Sequence, residues 1–396
     1  MLVKFFVLVG LVCLLSGCEA MQSLSNSMGG VLDTFLEEDN AEPPKELSEY
    51  EAEIKSKILW QQNIGVGSEG MYLKLEPLVV DGRLFVADRA GLVQSRNLEN
   101  GEMIWETETE TQISAGPGFG NDKLFVGTSN AEILALSLED GAVLWTQKVS
   151  SEILAVPKSA GNIVVSRGVD GRLNGLDGNG GDILWTYERT VPPLSLRGTA
   201  DPLLENGFVI EGYASGKLVA LRLSDGKVEW ESSVIMPEGR SELERLVDLD
   251  ADPLIMDDVI FLGSFQGGVF AISTHDGRMI WWRREISVYS AIAGDWNYLY
   301  VSDENSDVWA LEQRNGASLW KQTELHQRRL TAPAVYKDWI VVGDFEGYVH
   351  WLSQYDGRQM GRLKVSDSAI VTRPVVVDDV LYVYAKDGTL AALVAK

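Results

Sequence analysis

From about residue 50 onward the chain is written as short apolar runs separated by polar, glycine-bearing turns, and the order of these parts repeats. A segment ending near proline comes first, as in "SAGP", "LAVP", "TADP" and "DADP". A turn and a β-branched or aromatic run follow, as in "NDKLFVG", "DDVIFLG", "KDWIVVG" and "DDVLYVY". After another glycine-containing turn comes a second apolar run, such as "AEILALSL" or "GGVFAIST". An Asp-Gly or Asn-Gly pair then leads into a run that carries tryptophan. Runs of this length bounded by turn residues read as strands, and Asn-Gly and Asp-Gly supply the positive φ that tight hairpins need. Each unit therefore predicts four antiparallel strands, A to D, with the tryptophan in D.

The tryptophan returns roughly every 40 to 50 residues, a period that marks propeller blades or another repeat array. Gly101 and Trp105 fit the pattern, as do Gly141 and Trp145, Gly181 and Trp185, Gly226 and Trp230, Gly277 and Trp281, and Gly316 and Trp320. "DGRQMG" keeps Gly357 but has Gly361 where tryptophan belongs, and Trp60 in "KSKILW" has no preceding copy. Second strands fall at Leu84–Val86, Leu124–Val126, Ile163–Val165, Phe208–Ile210, Val259–Leu262, Leu299–Val301, Ile340–Val342 and Leu381–Val383, which makes eight units. The last copy ends after strand C, and the first begins with an orphan Trp strand. The expected fold is an all-β, single eight-bladed β-propeller over residues 50–396, closed by the N-terminal strand completing the last blade. The repeated tryptophans are expected to pack between blades, since indole buries a large area.

The N-terminus has a different grammar. In "MLVKFFVLVGLVCLLSGC", Lys4 precedes an apolar stretch from Phe5 to Leu15 that is too short to span a bilayer comfortably. Residues 1–17 read as a signal peptide, and Leu15-Ser16-Gly17-Cys18 resembles the lipobox at which bacterial lipoproteins are cut before a lipid-modified (palmitoylated) cysteine. The other cysteine, Cys13, lies inside the signal, so the mature chain would hold Cys18 alone and no internal disulfide. Glu19 follows; aspartate at that place is the usual inner-membrane retention signal, which leaves the outer membrane as the expected address. Residues 18–49 are polar, carry the Pro43-Pro44 pair and read as a lipidated tether, reaching roughly 30 Å as a coil.

Charge and candidate chemistry narrow the function. A formal net charge of −24 over 396 residues argues against nucleic acid, whose phosphates need a Lys/Arg-rich surface. His275, His326 and His350 sit in different copies without metal-ligand spacing. "GVGSEG" matches G-x-G-x-x-G literally, but the following "MYLKLEP" reads as a strand rather than the helix that a dinucleotide site requires. "DLDAD" begins like a calcium loop and lacks its glycine and distant glutamate. No catalytic residue, metal or cofactor is expected.

Asp-Gly-x-x-x-Trp preceded by Gly-x-Leu-x-Ala-Leu resembles the repeat of the PQQ-dependent quinoprotein dehydrogenases, which leaves a periplasmic quinoprotein enzyme as the alternative reading. The chain lacks the adjacent cysteine pair and any evident calcium constellation of that group. Taken whole, with lipobox, tether, Trp-marked repeats and strand closure, the sequence is more similar to the BamB family, lipoprotein subunits of the outer-membrane β-barrel assembly machinery. "PPLSLRG" and "RLVDLD" are similar to the two loops by which that family contacts a POTRA domain of the barrel subunit BamA. The resemblance implies a non-catalytic periplasmic scaffold. Its partner-binding residues would be Leu194, Leu196, Arg197, Asp248 and Asp250, and nascent outer-membrane proteins are a further candidate partner. The repeat grammar places both loops in consecutive D-to-A connections, on one face of the disc.

Overall fold

The computed structural model describes residues 42–189, 200–236, 247–249 and 251–396. Among them there is no helix, and the strands assemble into eight four-stranded antiparallel sheets, the blades of one propeller. Blades 1 to 7 span residues 78–108, 113–148, 158–187, 203–233, 254–283, 293–322 and 334–364. In each, the strands follow in sequence order from inner A to outer D. Blade 8 takes strands A to C from residues 375–395 and strand D from Ser56–Asn63. The closing strand runs antiparallel to Thr389–Ala395, with Trp60 opposite Ala392 and Asn63 opposite Thr389. The ring therefore closes as the orphan Trp strand implies, with Lys55 and Lys396 exchanging backbone hydrogen bonds.

The core lies between blades. Ile210, Leu218 and Ala220 of blade 4 meet Ile260, Leu262 and Phe270 of blade 5, and comparable clusters fill the other joints. The repeated tryptophans are part of this packing. The Trp145 ring lies against Gly181 of the next blade, where an added Cβ would stand 2.6 Å from the indole. Gly181 also has φ +82°, so the turn needs glycine for both its backbone and its neighbour. Trp145 Nε1 then donates to the Gly178 carbonyl at 3.1 Å. The same pair of contacts links Trp60 to Gly101 and Leu98, and Trp320 to Gly357 and Gln354.

Two local expectations change. "MYLKLEP" forms no strand; it is extended chain with one isolated parallel bridge, Lys74 to Ala115. "GVGSEG" before it is a turn, and no helix follows. The polar leader meets the propeller before residue 50. Lys45 N–H donates to the His326 carbonyl at 3.0 Å, Arg328 donates to the Lys45 carbonyl at 3.1 Å, and Leu47 packs on the core between blades 6 and 7.

Candidate binding face

Strands A line the centre of the disc, and the connections that lead into them lie together on one face with the B-to-C turns. Proline before strand A confines the residue preceding it to extended backbone. In "TADP" and "DADP" that residue is Asp201 or Asp252. Both meet Lys74, which reaches in from the 8-to-1 connection: its Nζ lies 3.4 Å from Asp201 Oδ1 and 2.5 Å from Asp252 Oδ1. Lys158 of blade 3 holds the other Asp201 oxygen at 2.8 Å. Backbone N–H groups complete the arrangement, Val156 donating to Asp201 and Asp201 donating to Asp252. Arg373, before strand A of blade 8, reaches Glu76 at 3.4 Å.

This cluster joins residues from five places around the ring. Burial alone would raise the Asp201 pKa; Lys158 and Lys74 outweigh it and hold the carboxyl at about 2. Burial likewise works against the charged form of Lys74, and Asp201 and Asp252 more than reverse it. Glu76 moves the other way: burial raises it, Arg373 only partly opposes that, and Asp252 and Asp201 add to it. Asp252 is thus an ion-pair partner of a lysine. Among the described residues no group of His, Cys, Asp and Glu is arranged to hold a metal ion. His350 is fully buried against Asp344 at 2.9 Å, and burial lowers its pKa.

Beside this cluster, on the same face, a cavity of about 520 Å³ opens at the mouth of the channel. Tyr72, Tyr289, Phe345, Leu330, Ile370 and Arg329 contribute to its wall. They come from the connections 8-to-1, 5-to-6, 6-to-7 and 7-to-8 and from one B-to-C turn. Of the sequence-predicted contact residues, Leu194, Leu196, Arg197 and Asp250 lie outside the described residues, as does Cys18. Asp248 is described and is 1% exposed. Its carbonyl accepts from Phe265 N–H at 3.2 Å, and Val247 bridges to Ser215. Leu249 packs where a side chain on Gly212 would stand. The segment 247–249 is therefore threaded between blades 4 and 5.

Sequence reasoning missed the channel cluster and the mouth cavity. Asp before the strand-A proline was a readable signal for Asp201 and Asp252. Glu76 and Arg373 hold the same place before the strand-A prolines Pro77 and Pro374, so the repeat marks them too; Lys74 falls outside that position, and ring closure brings it to Asp201 and Asp252.

The family model described as "Outer membrane protein assembly factor BamB" matches residues 89–322 and 313–396. The outer membrane protein assembly factor BamB of Pseudomonas aeruginosa is 49% identical over 350 residues, covering 88% of this chain and 92% of its relative. That of Escherichia coli strain K12 is 33% identical, with 96% of each chain covered. Among solved structures, BamB from Moraxella catarrhalis superposes with a TM-score of 0.78 at 26% identity, covering 86% of this chain and 100% of the other. Quinohemoprotein alcohol dehydrogenase from Comamonas testosteroni reaches a TM-score of 0.66 at 13% identity, over 86% of this chain and 76% of that one, which is a likeness of fold alone. An eight-bladed ring of Trp-marked repeats, closed by its N-terminal strand and matched at 49% identity over 88% of its length by an assembly factor, belongs to the BamB family of outer membrane protein assembly factors.

Proposed function

We propose that the protein is a non-catalytic scaffold lipoprotein of the outer-membrane β-barrel assembly complex. It is anchored in the outer membrane through Cys18, with its propeller in the periplasm, and assists the insertion of barrel proteins by docking a POTRA domain of BamA. The observation that carries this reading is the identity of 49% to an assembly factor over 88% of the chain. The channel chemistry supports a binding role over a catalytic one, because Asp201 and Asp252, its two inward aspartates, are held by lysines.

Docking is assigned to the connections 3-to-4 and 4-to-5. Leu194 and Leu196 serve as apolar anchors and Arg197 meets a partner carboxylate, with Asp250 beside it. Asp248 is buried, and its backbone carbonyl, bonded to Phe265 N–H, ties the second connection to blade 5. Arginine and apolar anchors at an interface centre commonly cost about 2 kcal/mol or more on truncation, which is roughly thirtyfold in affinity. Pull-down of BamA by Arg197→Glu should fall by that factor or more while its melting curve stays within about 0.5 kcal/mol of the parent. Arg278→Glu, in an exposed C-to-D turn on the opposite face, is the control and should retain binding. Full BamA capture by Arg197→Glu would move the docking site elsewhere.

A further inference from the structure

Connections 3-to-4 and 4-to-5 meet at their downstream ends. Asp201 stands near the end of the first and Asp252 near the end of the second, each just ahead of a strand-A proline, Pro202 or Pro253. Asp201 N–H donates to Asp252 Oδ1 at 2.7 Å, so the backbone of one root bonds the side chain of the other. Lys74 Nζ joins both, 3.4 Å from Asp201 and 2.5 Å from Asp252. Among the described residues it is the one cation within ion-pair distance of both aspartates; Lys158 reaches Asp201 alone.

Lys74 itself belongs to neither connection. It lies in the 8-to-1 connection, downstream of the closing strand Ser56–Asn63. Its carbonyl accepts from Gly116 N–H at 2.9 Å, which fixes its backbone on strand A of blade 2. From that anchor the side chain reaches the roots of blades 4 and 5. Side-chain exposure is 27% for Lys74, 12% for Asp201 and 23% for Asp252, so these are not the open surface pairs that contribute little. Lys158, Arg373 and Glu76 also face the group. Three cations thus stand against three carboxylates, and removing Lys74 would leave the carboxylates in excess.

We propose, resting on the docking reading above, that Lys74 is a positioning residue for BamA: its ammonium ties the roots of connections 3-to-4 and 4-to-5 together and sets the spacing at which they meet the partner. Holding two loops in one arrangement before contact removes part of the ordering cost of binding. The aspartates alone would do the opposite, since two carboxylates sharing one enclosed place disfavour each other's charge. Lys74 also links ring closure to docking, because its connection starts where the closing strand ends.

The test titrates BamA against the full folded chain, alongside melting curves and hydrogen exchange at the Asp201 and Val156 amides, which donate to Asp252 and Asp201. Lys74→Met should weaken BamA binding by about tenfold and speed exchange at both amides. Lys74→Met combined with Asp252→Asn removes the cation and one facing charge together and keeps an acceptor for Asp201 N–H. It should recover part of both losses. Asp252→Ala releases the second root from Lys74 and from Asp201 without leaving two facing carboxylates. It should weaken binding to a similar extent, and it carries the test if Lys74→Met does not fold. Gly361→Ala strains the seventh joint, touches neither connection and should bind BamA as the parent does. Full binding by Lys74→Met or by Asp252→Ala would overturn the proposal. So would unchanged amide exchange in Lys74→Met, or an equal loss of binding in Gly361→Ala. Binding lost in Arg197→Glu but kept in Lys74→Met defeats this inference and leaves the docking reading intact. Full binding by Arg197→Glu defeats the docking reading, and this inference with it.

Discussion

Each tryptophan at the repeat position of strand D does two things for the blade that follows it: its ring covers a turn glycine, and its indole N–H satisfies a turn carbonyl. The carbonyl would otherwise face a closed joint, and a buried acceptor left unpaired costs about 1–3 kcal/mol. The channel cluster links blades by charge instead. Asp201 sets its pH response. Its folded pKa, about 2, lies below the ordinary value of 3.8, so its contribution is fully present above about pH 4 and is lost as pH falls toward 2. The difference corresponds to about 2 kcal/mol. Glu76, raised by burial, has the opposite sign and favours the folded state as it takes up a proton. Urea midpoints measured from pH 6 to pH 2 should therefore drop most steeply below pH 4 in the parent protein. Asp201→Asn should start lower at pH 6 and fall less between pH 4 and pH 2. Parallel curves would mean that Asp201 is not coupled to Lys158 and Lys74 as the distances indicate.

At the scale of the strand, the outer edges carry a second repeated device. In every blade the D strand slips register at the residue before the Trp position, as Leu144 does between Val143 and Trp145. The bulge twists the edge, and this discourages a foreign strand from adding to it. Blade 7 shows why one tryptophan is absent. A D-strand indole needs the C-to-D turn of the next blade to pack on, and in blade 8 that turn does not exist, because strand C ends the chain and strand D lies near its start. Gly361 stands in the Trp position, and Ile54, just ahead of the closing strand, occupies the space; an added Cβ would come within 2.6 Å of Ile54 Cγ1. Tyr336 supplies the missing cross-joint hydrogen bonds, donating to the Asp379 carbonyl at 2.7 Å and accepting from Ala395 N–H at 3.1 Å. Gly361→Ala should therefore cost about 1–3 kcal/mol by overpacking. Combined with Ile54→Ala it should cost less than the sum of the two single changes. Strictly additive melting data would show that the two residues do not share one space. The strand grammar, the blade count and the closure were all legible in the sequence, because each follows from a local period. The bulges were not, since a one-residue slip leaves no mark on a short apolar run. The occupant of the seventh joint was not legible either, since Ile54 lies outside the repeat.

At the scale of the ring, the same logic separates what was readable from what was not. Consecutive long connections and the "LSLRG" and "VDLD" segments pointed to one face from sequence alone. The other half of that face, with Lys74, Tyr72, Tyr289 and Arg329, assembles only after eight blades close, so no spacing along the chain announces it. Closure is then the property on which the binding face depends. Removing the closing strand Ser56–Asn63 takes Trp60 from the joint with Gly101 and leaves the edge of Thr389–Ala395 unpaired. Loss of a buried tryptophan alone costs about 3–5 kcal/mol, and an open edge adds a route to aggregation. Deleting residues 55–63 should lower the melting temperature by at least about 5 °C and broaden the transition, given about 2–4 °C per kcal/mol for domains of 150–250 residues. Deleting residues 20–40 should leave the melt unchanged. A synthetic peptide of residues 52–64 added to the first variant should recover part of the loss, since it restores the register with Thr389–Ala395 and returns the indole to Gly101. Equal melts for the two deletions, or no recovery with the peptide, would mean that the ring is held by its inter-blade cores alone and that the N-terminal strand only covers an edge.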